Sequence, residues 1–453
     1  METATRTLWI KQPLACSTAA AAGGVVVRGT RIVEQVAAGA TPKTPVDVNF
    51  DASAHVLLPG LVNTHHHFYQ TLTRAWTPAL NKRLFPWLTT LYDLWAGLDT
   101  ELLSVASELA MVELLMSGCT TTADHQYVFS KSMGEAVDAQ VEVARRLGMR
   151  VALTRGSMSV GRDAGGLPPD SVVQDEQTIL DDSERLIRKY HDPADGAMVT
   201  IALAPCSPFS VSRELMRASA DLAGRYGVRL HTHLAETADE TAYCERLFHM
   251  RPLDYLEDCG WLGDHTWVAH GIHFDDEEVK RMGGAGVGVT HCPSSNMVLG
   301  SGICRTLELE AAGSPVGLGV DGSASNDHSN LAQEMRQALL CGRLRYTPDQ
   351  LTHQKVIRWA TVGSARCLGR TDIGGLEVGQ QADLALFRLD ELRFSGAENP
   401  IAALLLCGAG SADRVMVAGQ WRVTEGQPVG VDLEDLRRRH DAAARSLRSR
   451  LTN

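Results

Sequence analysis

The chain lacks four things that would each point elsewhere. No apolar run approaches the length of a membrane span, so a transmembrane protein is not expected. The Ala- and Gly-rich stretch 18–27 lies behind Trp9, Lys11 and Pro13 and runs into Val25-Val26-Val27, so it reads as folded structure rather than a signal segment. None of the ten cysteines forms a CxxC pair, which suits reduced thiols in a cytoplasmic protein better than a disulfide framework. A basic excess is also missing. The net charge is −11, and the one arginine cluster, at 437–439, belongs to a charged terminal helix, so no nucleic-acid partner is expected.

What is present is an ordinary globular composition, 44% hydrophobic and 21% charged, over 453 residues. Residues 1–55 read as short strands and turns. From 56 to 372 strand-like runs alternate with helical segments. The runs are 56–63, 120–124, 150–154, 199–204, 228–233, 266–270, 286–290 and 316–321. Eight such runs with helical crossovers predict an α/β fold, a (β/α)8 TIM barrel. An open doubly wound sheet is the alternative, but no glycine-rich dinucleotide loop follows the first run. Strand texture returns over 373–432. With residues 1–55 it is expected to form a small β-sandwich built from both chain ends. A terminal helix is expected over 433–453. Apolar residues on the outer helices are consistent with a homo-oligomer.

The chemistry starts at Pro59-Gly60-Leu61-Val62-Asn63-Thr64-His65-His66-His67. Alternate strand residues share a face, so His65 and His67 point together and His66 points away. Taken alone the pair reads more readily as a His-rich loop or an incidental run than as a metal site. Active sites of such barrels lie at the C-terminal strand ends. There the fifth run supplies His233, with Glu236 three residues on; the sixth supplies His270; the eighth supplies Asp321. His231 shares the face of His233 but lies deeper. Neutral imidazoles with one carboxylate suit Zn²⁺ or Fe²⁺. A metal acidifies water, and a carboxylate that is not a ligand, here Glu236, shuttles its proton. His270 and Asp321 are expected to orient the nucleophile. The fourth run carries no lysine to bridge two ions, which favours one metal.

The motifs PGLVNTHHH (59–67), HTHLAE (231–236), AHG (269–271), HCPSSNMVLGSG (291–302) and GLGVDGSASND (317–327) resemble the amidohydrolase superfamily, in its mononuclear deaminase and chlorohydrolase branch. The segments 65–75, 84–92, 118–127, 155–173 and 204–216 are similar to the 8-oxoguanine deaminases within it. The resemblance implies metal ligands at His65, His67, His233 and Asp321, and acid/base roles for Glu236 and His270. It implies one Zn²⁺ per subunit, with Fe²⁺ possible. The implied reaction is hydrolytic deamination of 8-oxoguanine, a small-molecule purine, to urate and ammonia by a metal-bound hydroxide. The rival substrates are an s-triazine, guanine or another aminopurine; a non-catalytic barrel scaffold is the remaining rival. Candidate substrate contacts are Gln70, Trp87, His125, Arg155, Asn296 and Ser325. Trp87 reads equally as core, and Asn296 as a loop-ordering amide.

Overall fold

The computed structural model describes residues 6–451; the first five and last two positions of the expected end segments lie outside the described residues. Eight parallel strands close into a barrel. They are Leu61–Asn63, Cys119–Gln126, Arg150–Ser157, Val199–Pro205, Arg229–Leu234, Thr266–His270, Gly288–His291 and Val316–Leu318. Closure comes from the pairing of Leu318 with Asn63, which rules out the open sheet. Cys119–Gln126 and Arg150–Ser157 are buried along their whole length, as strands covered on both faces must be. Helices form the outer layer. Thr100–Met116 starts where Asp99 accepts the Leu102 N–H at 2.8 Å and ends before Gly118, whose φ of 93° lets the chain turn into the next strand.

The run expected as one strand over 56–63 is two strands, and this corrects the sequence reading. His55–Pro59 pairs antiparallel with Leu384–Arg388 in a six-stranded sheet, whereas Leu61–Asn63 belongs to the barrel. The change happens at Gly60. Its N–H is given to Asp383 O at 2.8 Å, and the next one, Leu61 N–H, to Gly118 O at 3.0 Å. A Cβ at Gly60 would lie 2.2 Å from Thr120 Oγ1, so only glycine lets the chain cross between the sheets here. Pro59, with no N–H to give, ends the first ladder.

Both chain ends build the second layer pair. A four-stranded sheet from residues 7–51 packs on the six-stranded sheet, burying Ile10, Val25 and Ile32 against Leu57, Leu384 and Met416. Barrel and sandwich are joined by a buried ion pair, with Arg150 Nε 3.1 Å from Asp383 Oδ2. The helix Leu433–Ser449 lies against Thr100–Met116, and its His440 Nε2 is 3.0 Å from Thr71 Oγ1, just beyond the histidine run. No helix among the described residues is long and apolar enough to cross a membrane.

Candidate metal centre and active site

The C-terminal mouth of the barrel gathers the predicted side chains. His67 Nε2 is 3.1 Å from His233 Nε2. Asp321 Oδ1 lies 3.3 Å from both His65 Nε2 and His67 Nε2. All four residues are buried. Asp321 lies three residues past its strand, in the left-handed region at φ 61°, and its N–H donates to His65 O at 3.1 Å. That bond ties the last strand's loop to the first strand's histidine.

The outward nitrogens decide the tautomers. His67 Nδ1–H donates to His125 O at 2.8 Å, and His233 Nδ1–H to Cys206 O at 2.7 Å. His231 Nδ1–H donates to Trp267 O at 2.9 Å, so its Nε2 is the acceptor for His65 Nδ1–H at 2.8 Å. Each of the three inner Nε2 atoms is then a bare lone pair, and that of His65 is buried with no partner. Burial, then the neighbouring charges of His67 and His270, brings His233 down to about 3, so it stays neutral at ordinary pH. Burial likewise holds His65 well below the usual histidine range. Three converging lone pairs and a carboxylate repel one another unless a cation lies between them. The donor set therefore fits a metal.

Glu236 Oε2 lies 3.5 Å from His270 Nε2. Burial, reinforced by the Asp321 charge, pushes its carboxyl up to about 8. His270 stands at φ 76° with Nδ1 3.1 Å from Asn296 Oδ1, so Nδ1 carries the proton and Nε2 faces Glu236 as an acceptor. Glu240 was not singled out from the sequence. It is buried, and its carboxylate accepts the N–H groups of Ala235 (2.8 Å) and Glu236 (3.0 Å), which holds the left-handed turn at Ala235 that presents Glu236. The available signal was an acid in the first turn of the helix Ala238–Phe248, reading back onto its own N-terminus.

Above the ligands is free space of about 30 Å³. Leu84, Trp87, Leu88, Phe209 and Leu299 wall it; Gln70, Tyr92 and Ser325 supply polar edges. Gln70 Oε1 accepts the Ala324 N–H at 3.4 Å, and the Tyr92 hydroxyl is buried without a partner. Three of the expected substrate contacts are elsewhere. Arg155 is turned into the wall, where Nε bonds Asp182 Oδ2 at 2.7 Å and one terminal NH2 bonds Gln174 Oε1 at 2.8 Å; the long strand carries its side chain to the outer face. His125 stacks on His233 with ring centres 4.8 Å apart and gives Nε2–H to Ala204 O at 2.9 Å, beneath the cavity. Asn296 is outside the lining, with its Oδ1 on His270 Nδ1 at 3.1 Å and its Nδ2 buried without a partner. His66 points away, as expected, and its Nδ1 accepts the His67 N–H at 2.7 Å.

The model of the amidohydrolase family matches residues 56–422. An 8-oxoguanine deaminase of Pseudomonas aeruginosa is 61% identical over 97% of this chain and 98% of its own length. A hydroxydechloroatrazine ethylaminohydrolase of Pseudomonas sp. strain ADP is 37% identical over 85% of this chain and 82% of its own. The solved zinc complex of an atrazine chlorohydrolase from Arthrobacter aurescens superposes with a TM-score of 0.91 at 31% identity, covering 96% of this chain and all of that one. From its ligand cluster, its closed barrel and these matches, the chain belongs to the amidohydrolase family.

Proposed function

We propose that this protein is a metal-dependent hydrolase of an exocyclic C–N bond, converting 8-oxoguanine and water to urate and ammonia. The observation that carries this reading is the 61% identity to an 8-oxoguanine deaminase along nearly the whole of both chains. In this reading His65, His67, His233 and Asp321 hold one divalent cation per subunit, zinc first and Fe²⁺ second. When bound, that cation supplies the Lewis acidity that makes water a nucleophile at neutral pH.

The chain's own residues do the rest. Glu236 takes a proton from the attacking water and returns it to the ring nitrogen beside C2. Its raised pKa suits a group that must both accept and give a proton near neutrality. His270 offers a neutral Nε2 next to Glu236 and steadies the water. The hydroxyl added at C2 gives up the water's second proton, and the amino group carries it away as ammonia while C2 becomes a carbonyl. Trp87, Leu88 and Phe209 present flat apolar walls to the purine rings and exclude water, while Gln70 and Ser325 read its polar edge. We also infer a cytoplasmic homo-oligomer, supported by ten unpaired cysteines and by exposed Leu340 and Leu344 on the outer surface.

The test is a substrate panel on zinc-loaded protein. Loss of 8-oxoguanine with matching urate and ammonia is expected, and Glu236→Gln should abolish it while retaining the metal. Faster turnover of guanine or of an aminated s-triazine would overturn the substrate assignment.

A further inference from the structure

Glu236, the proton carrier of the proposed reaction, is held by no strand. It lies two residues past the strand Arg229–Leu234, behind Ala235, which stands in the left-handed region at φ 53°. A residue with a Cβ keeps that conformation only where its surroundings impose it. Here they grip the turn from two sides. Glu240 Oε1 accepts the Ala235 N–H at 2.8 Å, and Oε2 accepts the Glu236 N–H at 3.0 Å. On the other side, Ala235 O accepts the N–H groups of Ile272 and His273, both at 2.9 Å. The turn is thus clamped between the helix Ala238–Phe248 and the loop that follows His270.

The Glu236 side chain is held from a third direction. Ser301 Oγ–H points at Glu236 Oε1, 3.5 Å away. Ser301 is itself placed through its backbone. Its N–H donates to Asn296 O at 2.8 Å, and its carbonyl accepts His273 Nε2–H at 3.0 Å. His273 therefore touches both supports, the turn through its N–H and Ser301 through its ring. Glu240 is fully buried and forms no ion pair with a lysine or arginine among the described residues, so its two oxygens are committed to the turn.

We propose that Glu240 and Ser301 are positioning residues for Glu236: Glu240 fixes the turn that presents it, and the Ser301 hydroxyl fixes the direction of its carboxylate. This rests on the reading of Glu236 as the proton carrier. That role asks one carboxylate to reach the water and then the ring nitrogen, and a misplacement of about 1 Å costs on the order of a hundredfold in rate. Neither Glu240 nor Ser301 lines the space above the metal ligands, so their effect falls on the chemical step and not on substrate binding.

Steady-state kinetics of zinc-loaded variants test this, with 8-oxoguanine or whichever member of the substrate panel turns over fastest, and with bound zinc measured in the same samples. Glu240→Ala leaves two N–H groups without their acceptor; it should lower kcat about a hundredfold, with KM nearly unchanged and zinc retained. Ser301→Ala should lower kcat about three- to tenfold. Ser301→Thr, which keeps the hydroxyl, should restore most of that loss, and this pair carries the comparison if Glu240→Ala does not fold. Wild-type kcat in the alanine variants would overturn the proposal. So would a rise in KM at constant kcat, which marks a substrate contact, or zinc lost together with activity, which marks a support of the metal ligands. Glu236→Gln, run alongside, separates the two readings. If it is as active as wild type, Glu236 is not the proton carrier and the proposal falls with that role. If it is inactive while the Glu240 and Ser301 variants turn over normally, only the positioning role falls.

Discussion

His231 Nε2 accepts the proton of His65 Nδ1 at 2.8 Å, while the His231 ring stacks on Trp267 with centres 4.4 Å apart. The deeper histidine of the HTH pair is therefore the support that turns His65 toward the site. Replacing it by phenylalanine keeps the stack and removes the acceptor. Zinc affinity should fall about 10- to 100-fold, as when outer partners of a ligand are lost. Competition with a chromophoric chelator measures this, and unchanged affinity would show that His65 does not need the support.

Asn296 acts through His270. Its Oδ1, 3.1 Å from His270 Nδ1, keeps the proton off Nε2. Asn296→Leu should lower kcat by about tenfold to a hundredfold and leave KM nearly unchanged. A rise in KM with constant kcat would instead make Asn296 a substrate contact.

Two buried groups give opposite pH signatures. Burial, ahead of the nearby Arg74 charge, brings His440 down to about 4. It stays neutral in the fold, while the unfolded chain gains a proton below about 6.5. Its contribution is present above that pH and is lost as pH falls toward 4, at roughly 1.4 kcal/mol per unit. Glu334 is raised to about 8, by burial first and also by the Asp321 charge. Its contribution is full below about 4.3 and is lost as pH rises through 8. Relative to wild type, His440→Gln should therefore gain stability as pH falls, and Glu334→Gln should gain it as pH rises. Urea unfolding at pH 5, 6.5 and 8 reads both differences.

Gly60→Ala should destabilise the protein by about 1–3 kcal/mol, because the added methyl meets Thr120 Oγ1 at 2.2 Å. Pairing it with Thr120→Ala, which removes both the Oγ1 and the Cγ2 that the methyl meets, should recover part of the loss. If the double variant is no more stable than Gly60→Ala alone, the clash is not the cause.

The His/Asp cluster was legible because period-2 alternation and the strand-end rule act on single residues. His65, His67, His233 and Asp321 could each be placed from their own run. The supporting residues could not. His231 and Asn296 depend on contacts 166 and 26 residues away in the chain, which no local pattern encodes. Arg155 misled for the same reason: a strand end says where a residue lies, and not that Asp182 and Gln174 will capture its guanidinium. The break at Gly60 was missed because two apolar strands meeting at a Pro-Gly step read as one.

The helix Leu84–Trp95 starts at Arg83 without a side-chain cap and supplies three walls of a space of only about 30 Å³. The uncapped end of this helix therefore forms the rim past which a purine enters and its product leaves. Where that passage limits turnover of a good substrate, kcat should fall in proportion to added sucrose viscosity, whereas a poor substrate, limited by chemistry, should be indifferent to it.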